Sequence, residues 1–260
     1  MSVLERIAGL SICKAIFVVV LSGISLTCHA QLLPEMIKVE GGSYTMGDVL
    51  NIGAANEKPV HKVKVNTFYM AVTETTVLQW KTYCDATGHP MPTQTLEGGY
   101  LDDHPMVNIS YDEVQGYCDW LSEKTGKICR MPTEAEWEFA ARGGQKGKGY
   151  KYSGGQNLDV VAWHEGNCKS SEQVAAKKPN ELGLYDMSGN ACEWCSDWYG
   201  PYSADDDGVD NPKGPAVGTT RVVRGGGWFS KAANCRSAVR AFSLPDNSNS
   251  GIGFRVVYGQ

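Results

Sequence analysis

Several patterns that identify common catalytic or nucleic-acid-binding proteins are missing from this 260-residue sequence. Its five histidines are scattered singly, and we find no HExxH motif, no Gly-x-Ser-x-Gly elbow and no phosphate-binding loop. The formal net charge is −5 and no basic stripe is present, so we expect no nucleic-acid partner. Because the sequence also lacks internal repeats and an obvious linker, we predict one domain.

Long periodic segments are also few, whereas glycine is abundant, with 30 residues. An apolar fraction of 42% is sufficient for a sizeable core. Together these features predict a loop-rich α+β fold with little regular structure, short antiparallel strands and about three helices.

The apolar run at residues 15–26 is too short for a comfortable transmembrane helix. Positive charge at Arg6 and Lys14 comes before or beside it, and small residues suited to cleavage follow it. We therefore predict a signal peptide at residues 1–30 and an exported domain, periplasmic or secreted, at residues 31–260.

Two alternatives to cleavage remain open for this segment. Leu26, Thr27 and Cys28 loosely resemble a bacterial lipobox, although Thr27 is larger than the residue usual there. A lipoprotein anchored at Cys28 is therefore the second hypothesis, and a retained membrane anchor is the third.

Export would place the mature chain in an oxidising compartment. It would hold seven cysteines: Cys84, Cys118, Cys129, Cys168, Cys192, Cys195 and Cys235. Since seven is odd, at least one would be free or paired with another molecule. Cys192 and Cys195 form a C-x-x-C pattern, but no βαβ unit accompanies it, so a packed or disulfide-bonded role is favoured over redox catalysis.

Helical spacing of apolar residues predicts three helices, at residues 75–86, 110–124 and 133–142. Two of them begin with capping boxes, formed by Ser110 with Glu113 and by Thr133 with Glu136. Segment 61–71 alternates as a strand does. Segment 36–46 alternates weakly and breaks at Gly42 and Ser43, so it is predicted as two short strands or one bent strand, whereas residues 145–179 are predicted as loop.

Some polar residues in these elements invite a catalytic interpretation. His61 is a lone histidine at a strand start, for which a surface position is favoured over a ligand role. Glu134, Glu136 and Glu138 are candidates for an acidic cluster. A structural role is favoured, because first-turn carboxylates suit the helix dipole.

The stretch from 221 to 257 begins as a strand, continues through three glycines and Trp228, and becomes a long polar loop. Loops of this length are uncommon in compact domains unless they are functional or disordered. Arg236, Arg240 and Arg255 argue that this loop is ordered.

The same stretch carries a family resemblance through its letters RGGGW, NCRSAVR, PDN and GIGFR. Three other blocks follow the same order: GGSYTMG at 41–47, RMPTEAEWE at 130–138 and GLYDMSGN at 183–190. Together they resemble the sulfatase-modifying-factor family, which includes the formylglycine-generating enzymes. The resemblance implies a variant of the C-type lectin fold over nearly the whole mature chain.

Two carboxylates flank a glycine-containing loop between Asp186 and Glu193. Such oxygen-rich loops suit Ca²⁺, and the resemblance implies a structural calcium site there. Its ligands would be the Asp186 side chain, the carbonyls of Gly189 and Ala191, and the Glu193 carboxylate. The alternative is a loop braced by hydrogen bonds from these carboxylates to backbone amides.

The resemblance argues against a copper site. Formylglycine-generating enzymes use two cysteines after Gly-Gly-Ser to bind Cu(I), a soft ion that thiolates suit. Here Gly227 replaces that serine, Ser230 occupies the first cysteine position, and the second falls near Ala232 or Ala233. Only Cys235 remains, so we predict that copper is not bound.

Two classes of function stay open. One is an exported ligand-binding or accessory protein that uses loop 227–251, with Trp228 and Phe242 as exposed aromatics. The loop would bind an unidentified ligand, a peptide or an exported protein. Any contact with a membrane would be made through a lipid anchor alone.

Some relatives vary this segment at scattered asparagine codons, and Asn234, Asn247 and Asn249 fit that pattern. The other class is an oxidase of the formylglycine-generating type, with Trp228, Ser230 and Cys235 as catalytic candidates. Convergence of Cys192, Cys195 and Cys235 in space would support this class, whereas a Cys195–Cys235 disulfide or burial of both would argue against it.

Overall fold

The computed structural model describes residues 34–94 and 98–259. The predicted signal peptide and Cys28 therefore lie outside the described residues. Among the residues that the structure covers, none forms a helix of the length and apolarity needed to cross a membrane.

The three predicted helices are present: α1 (Val77–Thr87), α2 (Tyr111–Thr125) and α3 (Glu134–Ala141). Each begins at a hydroxyl side chain, Thr76, Ser110 or Thr133, which accepts a hydrogen bond from the third helical amide. A fourth, single-turn helix, α4 (Leu158–Val161), lies in the segment predicted as loop. Asn157 caps it, a local signal too short to stand out in a polar segment.

The described strands are short: β1 (Met36–Val39), β2 (Gly42–Met46), β3 (His61–Val65), β4 (Phe68–Ala71), β5 (Cys129–Arg130), β6 (Cys192–Trp198), β7 (Val209–Asp210), β8 (Arg221–Arg224), β9 (Ala241–Ser243), β10 (Ile252–Gly253) and β11 (Val257–Tyr258). They form three small sheets with strand orders β1-β4-β11-β5, β10-β6-β8-β9 and β2-β3-β7. The pairings are antiparallel, apart from β6 with β10 and β3 with β7, which are parallel.

Three apolar clusters are formed by the described residues, two large ones and a small one around Tyr152 and Cys235. In one large cluster, Trp80 of α1 stacks on Tyr117 of α2 at 5.6 Å between ring centroids, and Phe254 packs edge-on against both. The other large cluster surrounds α3, every residue of which is buried. Because Glu134, Glu136 and Glu138 lie on this helix, the fold buries three carboxylates and has to pair them.

The prediction that His61 is a surface residue is wrong. The His61 side chain is buried at the start of β3, where its ring meets that of Tyr202 at a centroid distance of 4.6 Å. The long polar segment between β6 and β8 folds back over this end of β3 and buries His61. The strand periodicity of residues 61–71 cannot predict this burial, because the covering segment is distant in sequence.

Candidate functional site

The C-terminal stretch is held to the rest of the fold by buried ion pairs. Three of its arginines each make two hydrogen bonds to one glutamate, with N–O distances of 2.6–2.8 Å: Arg236 with Glu57, Arg240 with Glu134 and Arg255 with Glu193. Paired in this way, planar guanidinium and carboxylate groups fix geometry as well as charge. The prediction that these arginines order the loop is confirmed.

The acids on α3 are partners in the same network. Arg224 of β8 donates to Glu138 and Glu134, and Arg142 donates to Glu138. Burial opposes ionisation of Glu138, but the charges of Arg142 and Arg224 hold its pKa below the usual value. Glu136 accepts two hydrogen bonds from Arg130 and closes the cap of α3. The structural interpretation of these carboxylates is therefore correct.

The outer face of the stretch forms a groove of about 460 Å³, here called the phenylalanine groove after Phe229 and Phe242, which line it. Both residues are about half exposed, Phe229 at 47% and Phe242 at 58%. Asn234 and Asn249 also line the groove, whereas Asn247 is exposed outside the lining and donates to Ser243. Two of the three predicted variable positions thus share one surface.

The exposed aromatic residue of the Trp-Phe pair is Phe229, which the sequence analysis missed. Trp228 is half-buried, and its indole N–H donates to the Ser250 carbonyl, so it anchors the loop instead. It lines a separate, smaller cavity with Tyr100 and His104. The expectation that Trp228 is an exposed contact residue is therefore corrected. No local pattern distinguishes which of two adjacent aromatics faces solvent.

Two glycines, Gly227 and Gly251, leave space for the Phe229 ring because they carry no side chain. A Cβ at Gly251 would lie 2.1 Å from Cε1 of that ring, and a Cβ at Gly227 would lie 2.7 Å from the same atom. With contacts this short, a side chain at either glycine would force the Phe229 ring to move. Glycine at these two positions therefore lets the ring lie across both ends of the loop.

The other catalytic candidates lie beneath the groove. Ser230 lines it, is buried, and accepts a hydrogen bond from the Gly227 amide at 3.0 Å. Cys235 is fully buried, and burial raises the pKa of its thiol to about 12, as it does for Cys192. Both thiols are therefore protonated near neutral pH, and protonated thiols are poor nucleophiles and poor metal ligands.

The seven cysteines in the described part of the chain are free thiols, and six are buried. Cys192, Cys195 and Cys235 each belong to a different apolar cluster. Cys192 and Cys235 are nevertheless near enough that, after burial, the charge of Cys235 also raises the pKa of Cys192, and the Cys195–Cys235 disulfide considered above is not formed.

The predicted calcium residues are the β6 residue Glu193 and three residues of the loop that precedes β6, namely Asp186, Gly189 and Ala191. Glu193 accepts from Arg255 through both oxygens and from the Trp137 indole through one. Asp186 accepts from the Ala175 amide with Oδ2, while Oδ1 is buried and has no partner among the described residues.

A third carboxylate, Glu74, was missed because its partners are more than a hundred positions away in sequence. It accepts from the Ala191 amide at 2.8 Å and the Asn190 side chain at 2.6 Å. Burial, followed by the charges of Asp186 and Glu193, raises the pKa of Glu74 well above its usual value. No side-chain group of three or more Asp, Glu, His or Cys residues within the described ranges has the arrangement of a metal site.

These features define a loop-rich α+β domain in which buried arginine–glutamate pairs hold a long C-terminal loop whose outer face is aromatic. The chain belongs to the family of the sulfatase-modifying factor enzyme 1-like domain, whose model matches residues 25–259.

Among its relatives, the formylglycine-generating enzyme of Streptomyces coelicolor is 31% identical over 281 residues, covering 84% of this chain and 87% of the enzyme. The serine/threonine-protein kinase pkn1 of Chlamydia pneumoniae is 34% identical over 245 residues. That match covers 86% of this chain, which spans only 38% of the kinase.

Two solved structures share the fold. PvdO from Pseudomonas aeruginosa has a TM-score of 0.77 and 28% identity, covering 88% of this chain and 96% of PvdO. Treponema denticola variable protein 1 has a TM-score of 0.75 and 26% identity, covering 86% and 94%. The predicted fold class and family are confirmed.

Proposed function

We propose that this chain is a ligand-binding or accessory member of its family and that its ligand binds in the phenylalanine groove. The observation that carries the proposal is that two exposed phenylalanines, Phe229 and Phe242, line one groove, whose single lining cysteine among the described residues, Cys192, is buried and has a raised thiol pKa. Exposed aromatic side chains supply contact area at low entropic cost, which suits recognition more than chemistry. The likeness to a protein named for its variability supports this proposal.

The groove is tested with anilinonaphthalene sulfonate, a fluorescent apolar probe, added to the full chain. We expect binding that the double variant Phe229→Ala, Phe242→Ala weakens about tenfold or more, because each aromatic contact contributes about 0.5–1.5 kcal/mol beyond area burial. The matched control is Val217→Ala, since Val217 is 82% exposed and does not line the groove. Equal binding by all three proteins would exclude the groove as the binding surface.

The alternative is an oxidase of the formylglycine-generating type, supported by the likeness to the Streptomyces coelicolor enzyme. We would titrate the reduced protein with Cu(I) against a competing chelator. We would then assay oxidation of a cysteine-containing peptide under O₂, with the Streptomyces coelicolor enzyme as positive control. Tight copper binding with oxidation that Cys235→Ser abolishes would establish the oxidase. Absence of both would leave the binding role.

We also propose a structural calcium ion held by the Asp186 and Glu193 side chains and the carbonyls of Gly189 and Ala191. Three carboxylates, those of Glu74, Asp186 and Glu193, face one guanidinium, Arg255, in this region. The excess negative charge and the unpartnered Asp186 oxygen suit a divalent oxygen-seeking cation. Bound there, calcium would neutralise the carboxylates and hold the loop.

Asp186→Asn is the sharper test of calcium than a change at Glu193, because removal of Glu193 also breaks its pairing with Arg255. Calcium at about 100 times its Kd would stabilise the full chain by about 2.7 kcal/mol relative to a chelator. We expect Asp186→Asn to abolish this difference and Asp210→Asn, an exposed control, to retain it. Identical melting with calcium and with chelator would overturn the proposal.

Export remains a proposal that depends on the sequence of residues 1–30. Intact mass of the protein purified from its native host distinguishes the three hypotheses. Cleavage before Gln31 gives a mature chain that begins there, lipidation gives a chain that begins at a modified Cys28, and a retained anchor leaves the full mass.

A further inference from the structure

A second cavity, of about 280 Å³, shares only Arg240 with the lining of the phenylalanine groove. Its lining comes largely from the segment between β6 and β8 and includes an apolar part formed by Pro201, Tyr202, Val209, Pro212 and Pro215. We call it the proline pocket. At about 30 Å³ for each water, it has room for about nine waters or for a small organic molecule.

The ion pair in the lining of this pocket is internally satisfied. Glu134 receives two hydrogen bonds from Arg240, and Arg240 also donates to the carbonyls of Asn56 and Gly200. The Tyr202 hydroxyl donates to Glu134 as well. None of these groups needs a ligand.

Asp197 differs, because one of its oxygens has no partner. The side chain lies in the pocket lining and the residue is 4% exposed, and its Oδ2 accepts from the Glu134 amide at 3.0 Å and the Ser196 hydroxyl at 3.1 Å. Oδ1 accepts no hydrogen bond from any residue described by the structure. It faces Gly214, another lining residue, where an added Cβ would lie 3.3 Å away.

His61 supplies a second acceptor to the same pocket. Its Nδ1 lies 3.0 Å from the Pro59 carbonyl, and because a carbonyl can only accept, Nδ1 carries the proton. Nε2 of the neutral ring then holds a lone pair, for which the described residues offer no donor. The ring is positioned edge-on to Tyr202.

The ion pairs around the pocket leave two of its carboxylates without a paired cation. Glu134 is paired with Arg240 and Arg224, whereas the described residues form no ion pair with Asp197 or Asp206. The lining combines these carboxylates with proline and tyrosine side chains, a setting that suits an organic cation with an apolar part.

We propose that the proline pocket binds a small aliphatic primary amine, as its ammonium ion, through Asp197 Oδ1 and His61 Nε2. An ammonium group has three N–H donors, enough for both acceptors, and its alkyl part would pack on the proline and tyrosine walls. This site is independent of the phenylalanine groove and of the proposed function.

The decisive comparison uses n-butylamine and n-butanol as probes of nearly equal size. Each is titrated calorimetrically into the full chain in phosphate buffer, which contains no competing amine, at about pH 8, where butylamine is still charged. We expect butylamine to bind at least about tenfold more tightly than butanol, because hydrogen bonds to charged groups are stronger than neutral ones. Equal binding of both, tighter binding of butanol, or no binding of butylamine would overturn the proposal.

Variants locate the binding. Asp197→Asn keeps an oxygen for the Glu134 amide and should weaken butylamine binding about tenfold or more. Asp205→Asn is the matched control, since Asp205 is exposed and absent from the lining, and it should leave binding unchanged. Equal losses in both variants would mean long-range attraction rather than a site.

A second variant serves if Asp197→Asn does not fold. His61→Phe keeps a ring against Tyr202 and removes the acceptor nitrogen, so it should weaken butylamine binding severalfold while butanol binding stays the same. Unchanged butylamine binding by folded His61→Phe would remove His61 from the site. Glucose titrated alongside tests a hydroxyl ligand, and tighter binding of glucose than of butylamine would overturn the amine assignment.

Discussion

The two faces of stretch 221–257 differ in what their side chains contact. On the inner face, Arg224, Arg236, Arg240 and Arg255 are buried and each is paired with a glutamate. On the outer face, Phe229 and Phe242 are exposed and line a groove. The inner face therefore determines where the loop lies, and the outer face determines what it can contact. Stability and recognition should respond to different substitutions.

The largest expected effect comes from breaking the inner face. Arg224→Met leaves Glu138 and Glu134 buried with one fewer cation, and loss of one partner of a buried ion pair costs about 3–5 kcal/mol in the free energy of unfolding. Denaturant unfolding measures this loss. Lys64→Met is the control, because the exposed Lys64–Asp210 pair contributes about 0–1 kcal/mol. Comparable losses in the two variants would contradict the comparison.

An intermediate effect, dependent on pH, is expected at Asp197, a buried acid that has no arginine of its own. Burial, and then the charge of Glu134, raises its pKa to about 7 from 3.8. Glu136 also raises it, and Arg130 is the nearby cation. The folded state thus binds a proton that the unfolded state releases, so the stability contributed below the unfolded pKa is lost as pH rises towards and through about 7.

Unfolding of the wild type and of Asp197→Asn at about pH 5 and about pH 8 tests this sign. The wild type should lose about 3 kcal/mol more than the variant over that interval, because about two pKa units of the shift lie between pH 5 and the folded pKa of about 7. Other titrating groups act equally in both proteins. Parallel pH profiles would show that Asp197 has an ordinary pKa in the folded protein.

The smallest effect on stability is expected on the outer face. Phe242 is 58% exposed and contacts the Tyr199 ring at 4.6 Å, so Phe242→Ala should lower the free energy of unfolding by only about 1 kcal/mol. Thermal melting measures this change. A loss as large as that of Arg224→Met would mean that Phe242 is a structural residue and would weaken the division between the two faces.

Sequence patterns predicted the elements whose causes are local. The caps at Ser110 and Thr133 each act within one helical turn, and both helices begin there. Arginine is costly to bury unpaired, which is why three arginines in a polar loop predicted order. Composition predicted only a loop-rich α+β fold. The family resemblance narrowed this prediction to a variant of the C-type lectin fold.

The missed features depend on contacts between distant segments. Glu74 meets Ala191 across 117 positions, and His61 is covered by a loop that begins after β6. Arg240 pairs with Glu134 and not with Asp197. The sequence alone does not predict which of these two acids the arginine binds. Such choices appear only when the packed chain is seen.

The ring of Phe229 lies where Gly227 and Gly251 meet at the two ends of the loop. Because the ends are held there and buried arginines, among them Arg236 and Arg240, hold the inner face, the exposed residues of the interval can change without disturbing either attachment. Asn234, Asn247 and Asn249 fall in this interval. The chain thus has the layout of a display scaffold, on which new loop sequences could be exchanged and selected for binding while the frame stays constant.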